Sequence, residues 1–503
     1  MDATPRFRRL FFGQSLCNVG IPFLLGVFIF VQLPSSFSLV CIGFSGAFLL
    51  LLLAAPWGRK NRKFLLLAAL GLALALLAGG REQLHQIKME SLHGRELLCR
   101  GVVTVTSDSE YDLSATAPFR GKVRVTVEDA PAVGAVVEVK LSLSSRVLSS
   151  AKQEGVDLTA FEIGARSSVG KNGWYTLVGD LRQRATAAFG ESREAGFLRA
   201  ILLGDRSALF HQDRVFFQKT SSSHLLAISG LHVSQLLGIV FAVLCLFPVN
   251  RKLRSLLMLP LVFFLLFFTG ASVSVFRSAL MAAFPLVGFL FRRRSHPVTA
   301  LIFAAVLLVS REPYCVLSPS FLLSFFSTFG ILMAAGPLCT WFSFRIWEQV
   351  PGRFKWLKKW CYLVISSFIT ASASFVFTFP ITLLFFGEVQ PFAPVYALVM
   401  IPLFSPCLFL ALIAAVLIPV PAVGLWAMRL ARAGAYLFLR FHEFAAKGAP
   451  PLLEFGDFAP FVALVSIGLI LFLLVSRRPI YHLFFLHGGF LMSGMILWCT
   501  VLN

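Results

Sequence analysis

Long apolar runs, each close to the length that crosses a bilayer, alternate along this chain with short clusters of Lys and Arg. A spanning helix needs about 20 apolar residues. Runs of that order occupy 16–33, 38–56 and 63–79, and then 223–247, 253–270, 271–291, 296–310, 319–338, 361–387, 391–420, 458–476 and 480–500. Of the 503 residues 57% are hydrophobic and 14% are charged, whereas a soluble domain carries about 25% charged residues. A compact cytosolic enzyme is excluded. The expected fold is an all-α polytopic membrane protein carrying a small extracytoplasmic β (OB-like) insertion, with the lipid bilayer as its first partner.

The 45 Lys and Arg exceed the 24 Asp and Glu and give a formal net charge of +21. That excess would suit nucleic acid if it formed one face, but it sits in clusters beside the apolar runs: Arg6, Arg8 and Arg9, then Arg59–Lys63, Arg251–Arg254, Arg292–Arg294 and Arg353–Lys359. Such clusters mark cytoplasmic loops. With the N-terminus inside, the first two spans return Arg59–Lys63 to the cytoplasm and the third exports residues 80–190. Arg251–Arg254 and Arg292–Arg294 then fall inside again. Residues 423–447 carry Arg429, Arg432, Arg440 and Lys447 among Leu, Phe and Trp, a pattern that suits an interfacial amphipathic helix. If that helix lies on the surface, Arg477 and Arg478 end outside; if it crosses, they end inside. The first apolar run continues to Val31 and reads as a retained anchor, not a cleaved signal peptide. Nine cysteines are scattered without a C-x-x-C pair, so neither a zinc ribbon nor a redox motif is expected.

The exported interval is different material. It holds nearly equal numbers of acidic and basic residues, and Leu98–Thr106, Lys122–Val127 and Ala135–Leu143 alternate with β-branched residues around Pro131 and Gly134. That is strand chemistry, and several short strands in so few residues fit a small OB-like barrel. OB folds stack single-stranded nucleic acid on aromatics, for which Tyr111, Phe119, Phe161, Trp174 and Tyr175 are candidates. The neutral charge balance favours a structural cap or docking module equally well. The expected division is 1–80 as N-terminal spans, 81–190 as the OB-like domain, 191–420 as a transmembrane core, and 421–503 as the amphipathic helix with C-terminal spans.

Chemistry concentrates between Arg214 and Arg311, a stretch without a single Asp or Glu. It contains Lys219, Ser221–Ser223, His224, Ser229, His232, Gly270, Ser272, Ser274 and Arg277. Polar groups at membrane depth are costly and face the bundle interior or a water-filled path. Here all are donors or cations, an arrangement that suits a polyanion. Arg277 stands out within its apolar run, with Ser274 at i−3 and Gly270 at i−7 on one helical face; the competing reading is a structural strut bonded to carbonyls. Ser229 and His232 share a face if the helix is continuous, while Gly230 allows a break of the kind found at transport sites. Their alternative role is interhelical hydrogen bonding. A Ser229–His232–Asp205 hydrolase triad is disfavoured because the G-x-S-x-G elbow is absent and Asp205 reads as a helix cap. No H-E-x-x-H and no Walker A pattern occur, so no catalytic activity, metal or cofactor is expected and energy comes from elsewhere.

These residues also carry a resemblance. Leu202-Leu203-Gly204-Asp205-Arg206-Ser207, followed by His224-Leu-Leu-Ala-Ile-Ser-Gly-Leu-His-Val233, resembles the signature of ComEC, the bacterial competence channel family. The span from Gly270 to Met281, the segment Ser320–Phe325, and Pro380, Phe386-Gly387 and Ile401-Pro402 are similar to later parts of the same family. The resemblance implies passage of single-stranded DNA across the inner membrane in natural transformation, with a cytoplasmic motor and an extracytoplasmic DNA receptor as partners. It implies Asp205 and Arg206 at the channel mouth, His224, Ser229, Gly230 and His232 along the DNA path with Gly270 and Ser274, and Arg277 as an intramembrane phosphate contact. A transporter of another anionic or lipid-linked solute is the alternative. The family's usual Gly before the first motif His is replaced here by Ser221–Ser223, and Ala397 stands where Asn is common before a later proline. Many members carry a C-terminal metallo-β-lactamase-like domain. Its His/Asp cluster is not seen before Asn503, so any nuclease is expected to be a separate protein.

Overall fold

The computed structural model describes residues 15–32 and 59–475, apart from 93, 107–109, 120, 128–130, 145–155, 157, 164–166, 172, 207, 227–229, 270–272, 292–295, 348–354 and 419. Helices α1 (Ser15–Gln32) and α2 (Arg59–Glu90) lead into strands β1 (Glu96–Thr106), β2 (Glu110–Ala117), β3 (Gly121–Thr126), β4 (Ala135–Leu143), β5 (Leu158–Glu162) and β6 (Ser167–Lys171). Helices α3 (Gly173–Phe189), α4 (Arg193–Leu203) and α5 (His211–Lys219) follow, then a 3-10 turn at Ser223–Leu225. Next come α6 (Gly230–Leu246), α7 (Arg251–Phe268), α8 (Val273–Leu290), α9 (Pro297–Arg311) and α10 (Pro319–Gly330), which a π turn at Ile331–Ala335 joins to α11 (Gly336–Trp347). The described chain ends with α12 (Lys355–Phe386), β7 (Glu388–Val389), α13 (Ala393–Leu417), α14 (Pro421–Lys447), β8 (Leu453–Glu454) and α15 (Ala459–Val475).

Most of the described chain is helical, and three stretches are long and apolar enough to cross a membrane: Pro319–Thr340, Lys359–Phe386 and Ala393–Leu417. Shorter apolar helices lie at His232–Leu246, Ser274–Leu290 and Pro297–Arg311. The apolar runs 38–56 and 480–500 fall outside the described residues. Helix starts follow the sequence chemistry. The Asn250 side chain accepts from the Leu253 N–H at 2.8 Å and that of Ser318 from the Phe321 N–H at 3.1 Å, while α9, α10 and α14 begin on proline and α13 has Pro394 as its second residue, where a missing N–H costs nothing.

The strands form one closed unit. The hydrogen-bonded order is β1-β2-β3-β5-β4, and β4 pairs back onto β1 with Cys99 opposite Val139, so the ladder returns to its first strand. All neighbours are antiparallel except β3 and β5. The alternating residues Leu113, Val123, Val125, Val139, Leu141 and Leu158 are fully buried inside. Strands β1, β3 and β4 match the alternation visible in the sequence; β2, β5 and β6 carry Glu, Ser and Gly and were hidden. Tyr111 and Phe119 are not available for stacking: the closed ladder turns both inward, at 1% and 4% exposure. Phe161 and Trp174 are exposed, the latter edge-on to Phe267, and nothing is described of the Tyr175 side chain. On the rim of the unit, buried Asp112 pairs with Arg124 at 2.9 Å and Lys122 at 3.1 Å. Burial alone would raise its pKa, but the Arg124 hydrogen bond and the two cationic charges outweigh burial and hold the carboxyl below its usual range.

The largest core joins α3–α8 to α13 and α14. At its centre Phe197 of α4 stacks on Phe438 at 5.2 Å and on Phe217 at 6.1 Å, with Phe404 edge-on. Arg182 of α3 donates to the Phe268 carbonyl at 2.6 Å and the Leu203 carbonyl at 2.8 Å. One cation thereby closes the C-terminal ends of both α4 and α7, where the helix dipoles are negative.

The Arg-bearing stretch 423–447 is the body of α14, and it packs back along α13. Gly424 meets Leu417, the Cys407 thiol donates to the Gly434 carbonyl at 3.4 Å, and Phe438 lies 6.0 Å from Phe404. After α14, β8 pairs with β7 at the far end of α13, Glu388 opposite Glu454. The helix therefore runs the full length of its neighbour. Two of its polar groups make contacts to the N-terminal helices of the core, Arg432 donating to the Phe189 carbonyl at 2.7 Å and Glu443 facing Arg193 at 3.5 Å, while Arg440 and Lys447 are exposed.

Candidate functional site

The acid-free stretch folds as an interrupted path of helices. After α5 the chain makes a 3-10 turn at Ser223–Leu225 and restarts as α6 at Gly230; Ser229 lies in the interval outside the described residues. Two imidazoles hold this interruption. Nδ1–H of His224 donates to the Ser221 carbonyl at 3.1 Å, leaving the ring exposed. Nε2–H of His232 donates to the Leu225 carbonyl at 3.2 Å; that ring is wholly buried and stands edge-on to Phe404 at 4.8 Å. The two histidines therefore differ in kind. One is presented to solvent, and the other ties the turn to the first coil of α6.

Gly230 opens α6 directly against α8. A methyl group there would lie 2.5 Å from the Ser278 hydroxyl and 2.7 Å from Nη2 of Arg277, so only glycine permits this approach. The same guanidinium reaches α10, Arg277 donating from Nε to the Ser324 hydroxyl at 2.9 Å and from Nη1 to the Thr328 hydroxyl at 2.7 Å. It also reaches the Met281 sulfur at 3.4 Å. Ser274 and Ser324 exchange a hydrogen bond at 3.0 Å, and the Ser278 hydroxyl donates to the Ser274 carbonyl at 2.9 Å. Arg277 is 7% exposed. Its hydrogen-bond partners among the described residues are hydroxyls and a thioether. Neither 214–311 nor 313–347, which supply the helices around it, contains an Asp or Glu. A buried guanidinium without a carboxylate partner is costly unless its donors are met, and here hydroxyls meet them.

Gly230, Ser274 and Arg277 are thus brought together, and Gly270 falls outside the described residues. Asp205 and Arg206 lie elsewhere on the same assembly. They follow Gly204, whose left-handed φ of 75° ends α4, and Asp205 accepts from Nε of Arg199 at 2.9 Å, while Arg206 is exposed. Through Arg182 this motif is bonded to the end of α7, just before the α7–α8 turn. Nε2 of His232 is directed at Leu225 and Asp205 at Arg199, while Ser229, the third residue of the disfavoured triad, lies outside the described residues.

Sequence reasoning did not single out Ser324 and Thr328 as ligands of Arg277. Their signal is the i,i+4 pair of hydroxyls in an otherwise apolar helix, which puts both on one face. Two further polar pairs cross the helices, Gln235 to Ser405 at 2.6 Å and Ser327 with Ser374 at 2.7 Å. Among the described residues no group of three His, Cys, Asp or Glu side chains is arranged to hold a metal.

Comparison with known proteins points the same way. A family model described as Competence protein matches residues 201–479. "ComE operon protein 3" of Bacillus subtilis is 29% identical over 223 residues, covering 44% of this chain and 26% of that relative. "Recombination protein 2" of Haemophilus influenzae is 29% identical over 228 residues, covering 41% of this chain and 27% of that relative. The chain thus spans about a quarter of the length of the curated relatives it matches. No solved structure matches it.

Proposed function

Since the chain belongs to the competence protein family, whose model covers more than half of it, we propose that it passes single-stranded DNA across the bacterial inner membrane during natural transformation. The observation that carries this reading is Arg277: a buried guanidinium held, among the described residues, by hydroxyls and a thioether, in helices free of carboxylates. Donors and fixed positive charge at depth stabilise a phosphate backbone, whereas a carboxylate would repel it. The exposed His224 at the α5–α6 break and Gly230 beside Arg277 fit a path that begins at this interruption, with Asp205 and Arg206 at its mouth. The chain acts by transport, without chemistry on the nucleic acid, and draws its energy from a cytoplasmic motor after an extracytoplasmic receptor has delivered DNA.

The same reading sets the topology. Residues 191–420 form the channel core, and the β unit within 81–190 lies outside the cell; the strand order 1-2-3-5-4 closing on β1 supports an OB-like fold. The hairpin of α13 and α14, closed by β7 and β8, favours α14 as a crossing helix, so that α15 returns its C-terminal end, Val475, to the cytoplasmic side shared with Arg353–Lys359.

Uptake of labelled DNA tests the proposal in a strain lacking the gene and in one carrying Arg277→Glu. Uptake is expected to collapse in both; normal uptake in both overturns the reading. A deletion that alters envelope composition while transformation stays intact would assign the path to another anionic or lipid-linked solute.

A further inference from the structure

Helix α5 ends in a turn usually completed by glycine. The Ser222 N–H donates to the Phe217 carbonyl at 2.8 Å and the Ser221 N–H to the Gln218 carbonyl at 2.9 Å, the paired closure of a Schellman end. The left-handed position of that motif is held by Ser221, with φ of 53°, the one non-glycine residue with positive φ among those described. A side chain there is sterically disfavoured and persists only when its surroundings over-determine the conformation.

The surroundings come from elements far along the chain. Thr220 is 1% exposed, and its hydroxyl lies 3.0 Å from Nε2 of His442 on α14 and 3.0 Å from the buried Ser222 hydroxyl. His442 is equally buried, its ring stacked 3.9 Å from Phe217 and against Phe438. Gln390, between β7 and α13, donates to the Lys219 carbonyl at 2.7 Å and the Pro450 carbonyl at 3.0 Å, occupying an end carbonyl that α5 leaves open. Downstream, the turn passes its geometry on: the Ser221 carbonyl accepts from His224, the Ser222 carbonyl from Leu225, and the Leu225 carbonyl from His232.

We propose that His442 is a positioning residue: through Thr220 it clamps Ser221 in the left-handed conformation and so fixes where His224 stands at the break. The assignment rests on the reading of that break as part of the DNA path. Glycine at 221 would hold the turn unaided; serine needs the clamp. The buried Phe217, Phe438 and Gln390 keep water from replacing the His442–Thr220 contact, so losing either partner releases the turn.

The test uses the full-length protein in membranes, with the exposed Ser223 changed to Cys and its labelling by a membrane-impermeant maleimide compared with the same protein lacking that thiol. His442→Phe keeps the stacked ring and removes the ring nitrogens; Thr220→Val removes the hydroxyl at nearly constant volume and carries the test if the first variant fails to accumulate. Each is expected to change the labelling rate at least fivefold and to lower DNA uptake at least tenfold. Adding Ser221→Gly is expected to bring both readouts back within twofold of the parent. Unchanged labelling, or a change that Ser221→Gly does not reverse, overturns the clamp. Labelling that changes and is restored while DNA uptake stays constant supports the clamp and refutes the placement of this break on the DNA path.

Discussion

Nε of Arg277 donates to the hydroxyl of Ser324 across 2.9 Å, joining α8 to α10 in the interior of the helical assembly. Lysine cannot reproduce this bond together with the one to Thr328, because an ammonium is a single point donor where guanidinium is a planar fork. Arg277→Lys is therefore expected to lower DNA uptake about tenfold, equivalent to about 1.4 kcal/mol. Ser324→Ala strands one buried N–H, which costs about 1–3 kcal/mol, and should lower the midpoint of thermal unfolding. Equal uptake by Arg277→Lys and the parent would remove the fork geometry from the proposed path.

The close approach at Gly230 gives a second expectation. Alanine there would place a carbon 2.5 Å from the Ser278 hydroxyl and 2.7 Å from Nη2 of Arg277, inside van der Waals contact, so those two side chains must give way and strain the bonds they make to Ser274, Ser324 and Thr328. Overpacking of this kind costs about 1–3 kcal/mol. Gly230→Ala should reduce both thermal stability and uptake, whereas Gly238→Ala, where nothing lies within 4 Å, should affect neither. Parity of the two alanine variants in a melting assay would sink this.

Much of the helical architecture was legible because apolar runs of this length are long enough for helices, and helices occupy most of the described ones. Arg277 was legible too, since a cation in an apolar run has to be accommodated. Its partners were not, because Ser324 and Thr328 become ligands only when α10 is packed on α8, and that pairing spans 47 and 51 residues of sequence. The surroundings of His232 were not legible either, because Leu225 and Phe404 meet its ring only once the chain is folded. The stretch 423–447 left two placements open, on the surface or crossing; its contacts were not legible, because Arg432 finds the end of α3 and Glu443 faces Arg193 only once the helices pack. Tyr111 and Phe119 could be assigned to the interior of the β unit only once β2, a strand with Glu, Asp and Ser in it, was recognised.

Arg182 closes two helix ends at once, so its removal leaves carbonyls of both α4 and α7 without this partner. Arg182→Gln keeps some donor capacity and loses the charge; Arg182→Ala loses both. The alanine variant is expected to be destabilised by roughly 2–3 kcal/mol, as two bonds from a charged group are lost. Hydrogen exchange should quicken at the segments ending in Leu203 and Phe268. Unchanged exchange at both would mean that water replaces the guanidinium without loss.

Asp112 sets the acid limit of the β unit. Its carboxyl is held below its ordinary range by Arg124 and Lys122, so the ionised form is favoured in the folded state over the unfolded one. A depressed carboxylate contributes stability that is fully present above the unfolded pKa of about 3.9 and is lost as pH falls through the folded value. Hydrogen exchange of residues 110–126 in the full-length protein should therefore be constant from neutral pH down to about 4.5, after intrinsic rates are divided out, and accelerate below that. Asp112→Asn abolishes the charge at every pH. It leaves Arg124 and Lys122, at 26% and 33% side-chain exposure, beside an uncharged group, and their access to water keeps the loss near the lower end of the ~3–5 kcal/mol seen on breaking a fully buried pair. That variant should exchange faster than the parent at pH 7 and show a flatter acid response. Parallel acid curves for the two proteins would mean that another carboxylate governs the transition.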